Sequence, residues 1–184
     1  MKKIISILID KLKILIDSAW YIPLISFLAF IDNLIIIIPN DGILVSSTIL
    51  KPKKWIYFSF NMAIGSTLGA LLLAFIVEYQ GLPWIESTYS FILNSKAWVL
   101  TQEFFTDYGL IIVLFVSLTP IMQHPAVILA ALANTPLIQL GLIIFTGRLI
   151  KFLIMAYIAS HAPKLLSKMW GVQEELKEVG IKVS

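Results

Sequence analysis

Four ionisable side chains stand where a chain seldom tolerates them. Asp32 and Asp41 lie in FIDNLIIIIPNDG, Phe30 to Gly42, and Arg148 and Lys151 lie in LIIFTGRLIKFLIMAYIAS, each inside an otherwise apolar stretch. In hydrocarbon an unpaired charge of this kind costs roughly 2.5 to 3.5 kcal/mol, so its retention implies pairing or function. Carboxylates can carry protons. Arginine offers a planar fork that grips a phosphate bidentately, and Lys151 follows Arg148 at i+3 on the same helix face. Two uses are open: a structural ion pair that locks one half of the chain to the other, or a site in a water-accessible cavity where carboxylates carry protons and Arg148 holds an anion. In either case Asp32 and Arg148 are expected within hydrogen-bond reach, or one bridging water, near the bilayer midplane.

The rest of the composition supplies that hydrocarbon. Of the 184 residues 59% are hydrophobic and only 14% charged, against about 25% charged in ordinary soluble domains. This is the composition of a membrane protein. Residues 55 to 77 hold no charge, enough to cross a core of about 30 Å at ~1.5 Å per residue. A second charge-free run, Tyr108 to Gly147, is broken by TPIMQHP and by NTP. With no cysteine in the chain, disulfides and thiolate metal sites are excluded. The pI near 9.1 reflects lysines at segment ends, which suit an anionic membrane surface. Nucleic acid would need a basic face, and none is visible.

Those elements can be placed by charge and length. Ile4 to Ile9 is too short and too soon interrupted by Asp10, Lys11 and Lys13 for a signal peptide. Lys3, Ser6, Asp10, Lys13 and Asp17 instead mark one stripe of an amphipathic helix lying in the interface. Lysines at 2 to 13, at 51 to 54 and in the tail (Lys164, Lys168, Lys177, Lys182) read as cytoplasmic, and the segment with Glu78, Glu86, Glu103 and Asp107 as external. Residues 19 to 50 then begin and end on one side with only about 48 Å of helix, whereas two crossings need about 60 Å. A hairpin broken at Pro39-Asn40-Asp41-Gly42 meets the constraint. Residues 109 to 133 repeat the arrangement upside down, breaking where Pro120 and Pro125 bracket Gln123 and His124. Pro136 suits the first turn of the helix that follows.

The expected fold is an all-α single membrane domain, an inverted repeat of re-entrant hairpin plus transmembrane helix with an N-terminal amphipathic interfacial helix. Its parts are an interfacial helix at 1–17, hairpin 1 at 19–50, a transmembrane helix at 55–78, an external amphipathic segment at 79–108, hairpin 2 at 109–133, a transmembrane helix at 137–160 and a cytoplasmic tail at 161–184. Inverted repeats with broken helices are how many transporters place polar groups at mid-bilayer. Gly65 and Gly69 read as a close helix contact. Trp20, Trp55, Trp84, Trp98 and Trp170 fall near segment ends and read as interfacial anchors. His124 reads as a polar group at a hairpin tip or a proton-relay member, and a lone histidine does not make a metal site.

Taken in order over about residues 25 to 160, the motifs F-I-D-N, P-N-D-G, G-S-T-L-G, Tyr108-Gly109, Thr119-Pro120 and Gly147-Arg148 resemble the DedA family, the bacterial branch of the VTT-domain (SNARE-associated Golgi protein) superfamily. The resemblance implies facing re-entrant hairpins in a multi-pass protein of the inner (cytoplasmic) membrane, with both termini cytoplasmic. It also implies movement of lipid, as a flippase or scramblase for a phospholipid or polyprenyl phosphate. Asp32 and Asp41 take the family's acidic positions, and Arg148 and Lys151 keep a cationic locus. Ser117 and Gln123 stand where many members carry arginines, and Ala130-Ala131 replaces the usual Ala-Gly. The partners expected are membrane lipids, with proton coupling and homo-oligomer formation left open; no cofactor and no enzymatic activity are expected. Two rivals remain, an intramembrane aspartyl hydrolase and a membrane organiser that transports nothing. No nucleophile–base set, His-x-x-Glu-His cluster or phosphate-binding glycine loop supports another enzyme.

Overall fold

A computed structural model describes residues 15–35, 39–88, 90–119 and 123–161. Among these the fold is all-helical. Helix α1 is Tyr21–Ile35 and α2 is Asn40–Leu50, followed by a 3-10 turn at Pro52–Lys54. Helix α3 is Trp55–Thr88, α4 the short turn Ser90–Leu93 and α5 Lys96–Tyr108. Helices α6, Leu110–Leu118, and α7, His124–Leu132, precede the long α8, Leu137–His161. Two stretches, Pro52–Gly81 and Leu137–His161, are long and apolar enough to cross a membrane.

The breaks between these helices follow from residue chemistry. Helix α2 starts directly after Pro39, which has no N–H to contribute to a helix, and Asp41 in its first turn complements the positive end of the helix dipole. Thr119 is extended, with φ −101° and ψ 161°, and ends α6; Pro125 then occupies the first turn of α7. Ser95 caps α5 by accepting a hydrogen bond from the Trp98 N–H at 3.1 Å. The helix expected to stop at 78 runs on to Gly81, where φ of 70° interrupts α3 two residues before Pro83. Glu78 at a helix end is no stop signal, because an exposed carboxylate breaks no backbone hydrogen bond. The segment expected as an external stretch at 79–108 is itself largely helical. Residues 1–14, most of the expected interfacial helix, lie outside the described residues, as do Pro120, Trp170 and the tail beyond residue 161.

Packing interleaves the two halves. Helix α1 lies along α3 and α6 lies along α8, while α3 and α8 pack on each other at the centre. The second short helix of each pair crosses over: α2 packs more on α8 than on α3, and α7 packs on α3. Glycines permit the closest approaches. A side-chain carbon at Gly65 would collide with the carbonyl oxygen of Ser26, one at Gly69 with that of Phe30, and one at Gly147 with Ser117. Two apolar clusters result, one centred on Ile25, Leu44, Phe58 and Phe152, the other on Leu73, Val113, Ile128 and Ile144. Large apolar side chains also cover the outside: Phe27, Leu68, Phe75, Ile111, Ile138 and Leu142 are all more than half exposed.

Candidate functional site

The polar side chains gather at mid-height of the two long helices. Ser66 lies near the middle of the Pro52–Gly81 span and Arg148 near the middle of α8, and both are buried. From there a directional chain of hydrogen bonds crosses between segments. Arg148 donates from Nε to Gln123 Oε1 at 2.7 Å, and Gln123 donates from Nε2 to Asn33 Oδ1. Asn33 in turn donates from Nδ2 to the Ala29 carbonyl at 2.9 Å and to Ser66 Oγ at 3.2 Å. Four segments, α1, α3, α8 and the start of α7, are tied by four side chains that are each under 9% exposed.

Beside this chain runs a second set of contacts. Asn40 donates from Nδ2 to Asp32 Oδ2 at 2.8 Å, joining the residues on either side of the break between α1 and α2. Next to it, Asp41 forms an ion pair with Lys151 at 2.5 Å, with side chains only 6% and 7% exposed. Burial strips water from both charges, so their geometry must replace hydration, and removing one partner leaves the other uncompensated. Phe152 lies between the cations: Arg148 Cζ and Lys151 Nζ are each 5.7 Å from its ring centroid. His124, at the first position of α7, is buried beside Arg148 and the backbone of Asp32 and Asn33, and among the described residues neither ring nitrogen meets a hydrogen-bond partner. Pro39 is buried at the head of α2.

The sequence-predicted residues thus separate into groups. Asp32, Asp41, Arg148, Lys151, Gln123 and His124 converge, whereas Gly65 and Gly69 serve the contact between α1 and α3. Asp32 and Arg148 were expected to meet. Among the described contacts the Nε of Arg148 meets the Gln123 amide, and a buried ion pair forms one turn further along α8, between Lys151 and Asp41. Arginine and lysine at i+3 share a face, so sequence alone does not choose which cation meets which carboxylate. Asn33, Asn40 and Ser66 were missed as members of the cluster. Their signal was present, since each is a polar residue set in an apolar stretch beside a residue already singled out. Chemically, the arrangement gathers two carboxylates, two cations and a directional set of amide hydrogen bonds in one place between the helices.

Comparison with known proteins adds little. No family model matches the chain, and no solved structure matches it. A protein of Haemophilus influenzae described as "Uncharacterized protein" is 24% identical over 136 residues, covering 74% of this chain and 70% of its own length.

Proposed function

We propose that this chain is a DedA-type lipid transporter, a flippase or scramblase of the cytoplasmic membrane that moves a phospholipid or polyprenyl phosphate between leaflets. In this reading the pairs α1–α2 and α6–α7 are re-entrant hairpins of an inverted repeat that meet at mid-bilayer. The observation that carries it is the cluster of buried Asp41, Arg148 and Lys151 with half-buried Asp32, near mid-height of two apolar helices and assembled from both halves of the chain. Ionisable groups inside a membrane are costly, pair with one another and mark substrate and proton pathways. The crossed packing of α2 on α8 and of α7 on α3 also supports it, because two hairpins related by symmetry would exchange partners in this way.

Function follows from the pairing. Helices α2 and α7 both begin at the cluster, so their positive dipole ends favour a negatively charged headgroup there. Arg148 grips the phosphate. Lys151, on the same face of α8 and held by Asp41, is the second cation that a headgroup would meet if that ion pair opened. A hydrolase of the aspartyl type needs two carboxylates sharing one proton; here Asp32 is engaged by Asn40 and Asp41 by Lys151, each with its own partner.

Reconstitution into liposomes with several labelled lipids, with and without a pH gradient, tests the proposal. Wild-type protein is expected to move at least one phosphate-bearing lipid chemically unchanged. Arg148→Lys keeps the charge but loses the fork and should slow transport more than it lowers thermal stability, whereas Arg148→Ala should harm both. Full lipid movement by both variants, with only stability reduced, would make the cluster structural and the chain an organiser of the membrane.

A further inference from the structure

We infer that the end of the molecule where α3 begins and α8 finishes carries a binding site for the headgroup of an anionic diacyl lipid, separate from the buried cluster. It requires only that α3 and α8 lie in a bilayer. At this end Lys51 is held in an ion pair by Asp17, but Lys53 and Lys54, both exposed, have no partner among the described carboxylates. The 3-10 turn that carries them touches the end of α8. Next along the chain, Trp55 meets Tyr157 edge-on, with centroids 5.7 Å apart, and Tyr157 stacks on His161 at 4.4 Å. Ser160 Oγ lies 2.7 Å from His161 Nδ1 and anchors the last ring.

Three rings and two exposed ammonium groups therefore share one rim. Tryptophan and tyrosine settle at headgroup depth, and lysine beside them attracts anionic lipid. What selects a lipid over a soluble anion is the surface below the rim. Ile150, Ile154, Tyr157 and His161 follow one another at spacings of four, three and four, so they form one face of α8. Ile150 and Ile154 are 42% and 51% exposed and Tyr157 is 53% exposed. An acyl chain can lie along that stripe while the phosphate sits against Lys53 and Lys54.

Native mass spectrometry of the full chain in detergent, titrated with phosphatidylglycerol or phosphatidylcholine, reads the first bound lipid. Wild-type protein should prefer phosphatidylglycerol, and the double change Lys53→Gln, Lys54→Gln should weaken that binding by about threefold to tenfold while leaving phosphatidylcholine unaffected. Tyr157→Ala keeps every charge and, at an exposed position, leaves the fold intact; it should weaken phosphatidylglycerol binding at least about twofold. Lys96→Gln, on the opposite end of the chain's charge pattern, should change nothing. Equal binding of the two lipids by wild-type protein overturns the inference. So does an undiminished preference in Tyr157→Ala, which would mark diffuse charge attraction, or displacement of the lipid by glycerol phosphate at constant ionic strength, which would mark a site for free phosphate.

Discussion

Among the described residues, Asp41 and Lys151 form a buried ion pair with a sharp energetic consequence. Breaking a buried ion pair by removing one partner costs about 3 to 5 kcal/mol, because the survivor is left charged without water, whereas replacing both with apolar residues of similar size is often neutral. Asp41→Leu and Lys151→Met alone should each lower the thermal unfolding midpoint in detergent strongly, and the double variant should recover most of the loss. Failure of the double variant to recover would mean that the two side chains do not compensate each other. If the proposed transport is proton-coupled, lipid movement in liposomes should be lost in all three variants, since stability can be restored without a charge but proton exchange cannot. At this scale the sequence was only half legible. Charges amid apolar residues announced Asp32, Asp41, Arg148 and Lys151, but amides such as Asn33 and Asn40 are cheap enough to pass unnoticed in one dimension. Their importance appears only when α1 and α7 come together and Gln123 spans the space between them.

Helix contacts obey a simpler rule. At Gly65 and Gly69 the obstacle to a side chain is the backbone of α1, which cannot rotate away, so α1 and α3 must separate to admit even a methyl group. Gly65→Ala should therefore destabilise by about 1 to 3 kcal/mol, the usual range for overpacking. Gly141 offers the control. Its added carbon would meet only the methyls of Leu71, 3.0 Å away on a side chain that can turn, and alanine gains up to about 1 kcal/mol of helix propensity over glycine. Gly141→Ala should be near neutral in the same unfolding measurement, and equal losses at both positions would remove the close-approach argument. The helical class and the breaks at Pro39 and after Thr119 were legible because proline and the polar tips act locally. The exit of α3 was not: hydropathy ended the span at Glu78, but the helix ends only where backbone conformation changes, at Gly81.

For the whole molecule, topology is the first thing to measure. Single cysteines introduced into this cysteine-free chain should label at position 53 from one side of the membrane and at position 103 from the other. Labelling of both from the same side would sink the proposed crossing of α3. The hydrogen bond from Gln123 to Asn33 has a further consequence, for the order of synthesis. The two residues are 90 positions apart in the chain, and at typical translation rates roughly 5 to 20 s separate their appearance. Lys151, which neutralises Asp41, emerges later still. Until then Asp41 lacks its cation and Asn33 lacks the Gln123 amide, so on the proposed topology the first half reaches its final depth only at a large cost. On that topology the first half is expected to wait at the bilayer surface, or in the shelter of an insertion factor, until α7 and α8 arrive. Assembly would then be completed from the C-terminal side backwards.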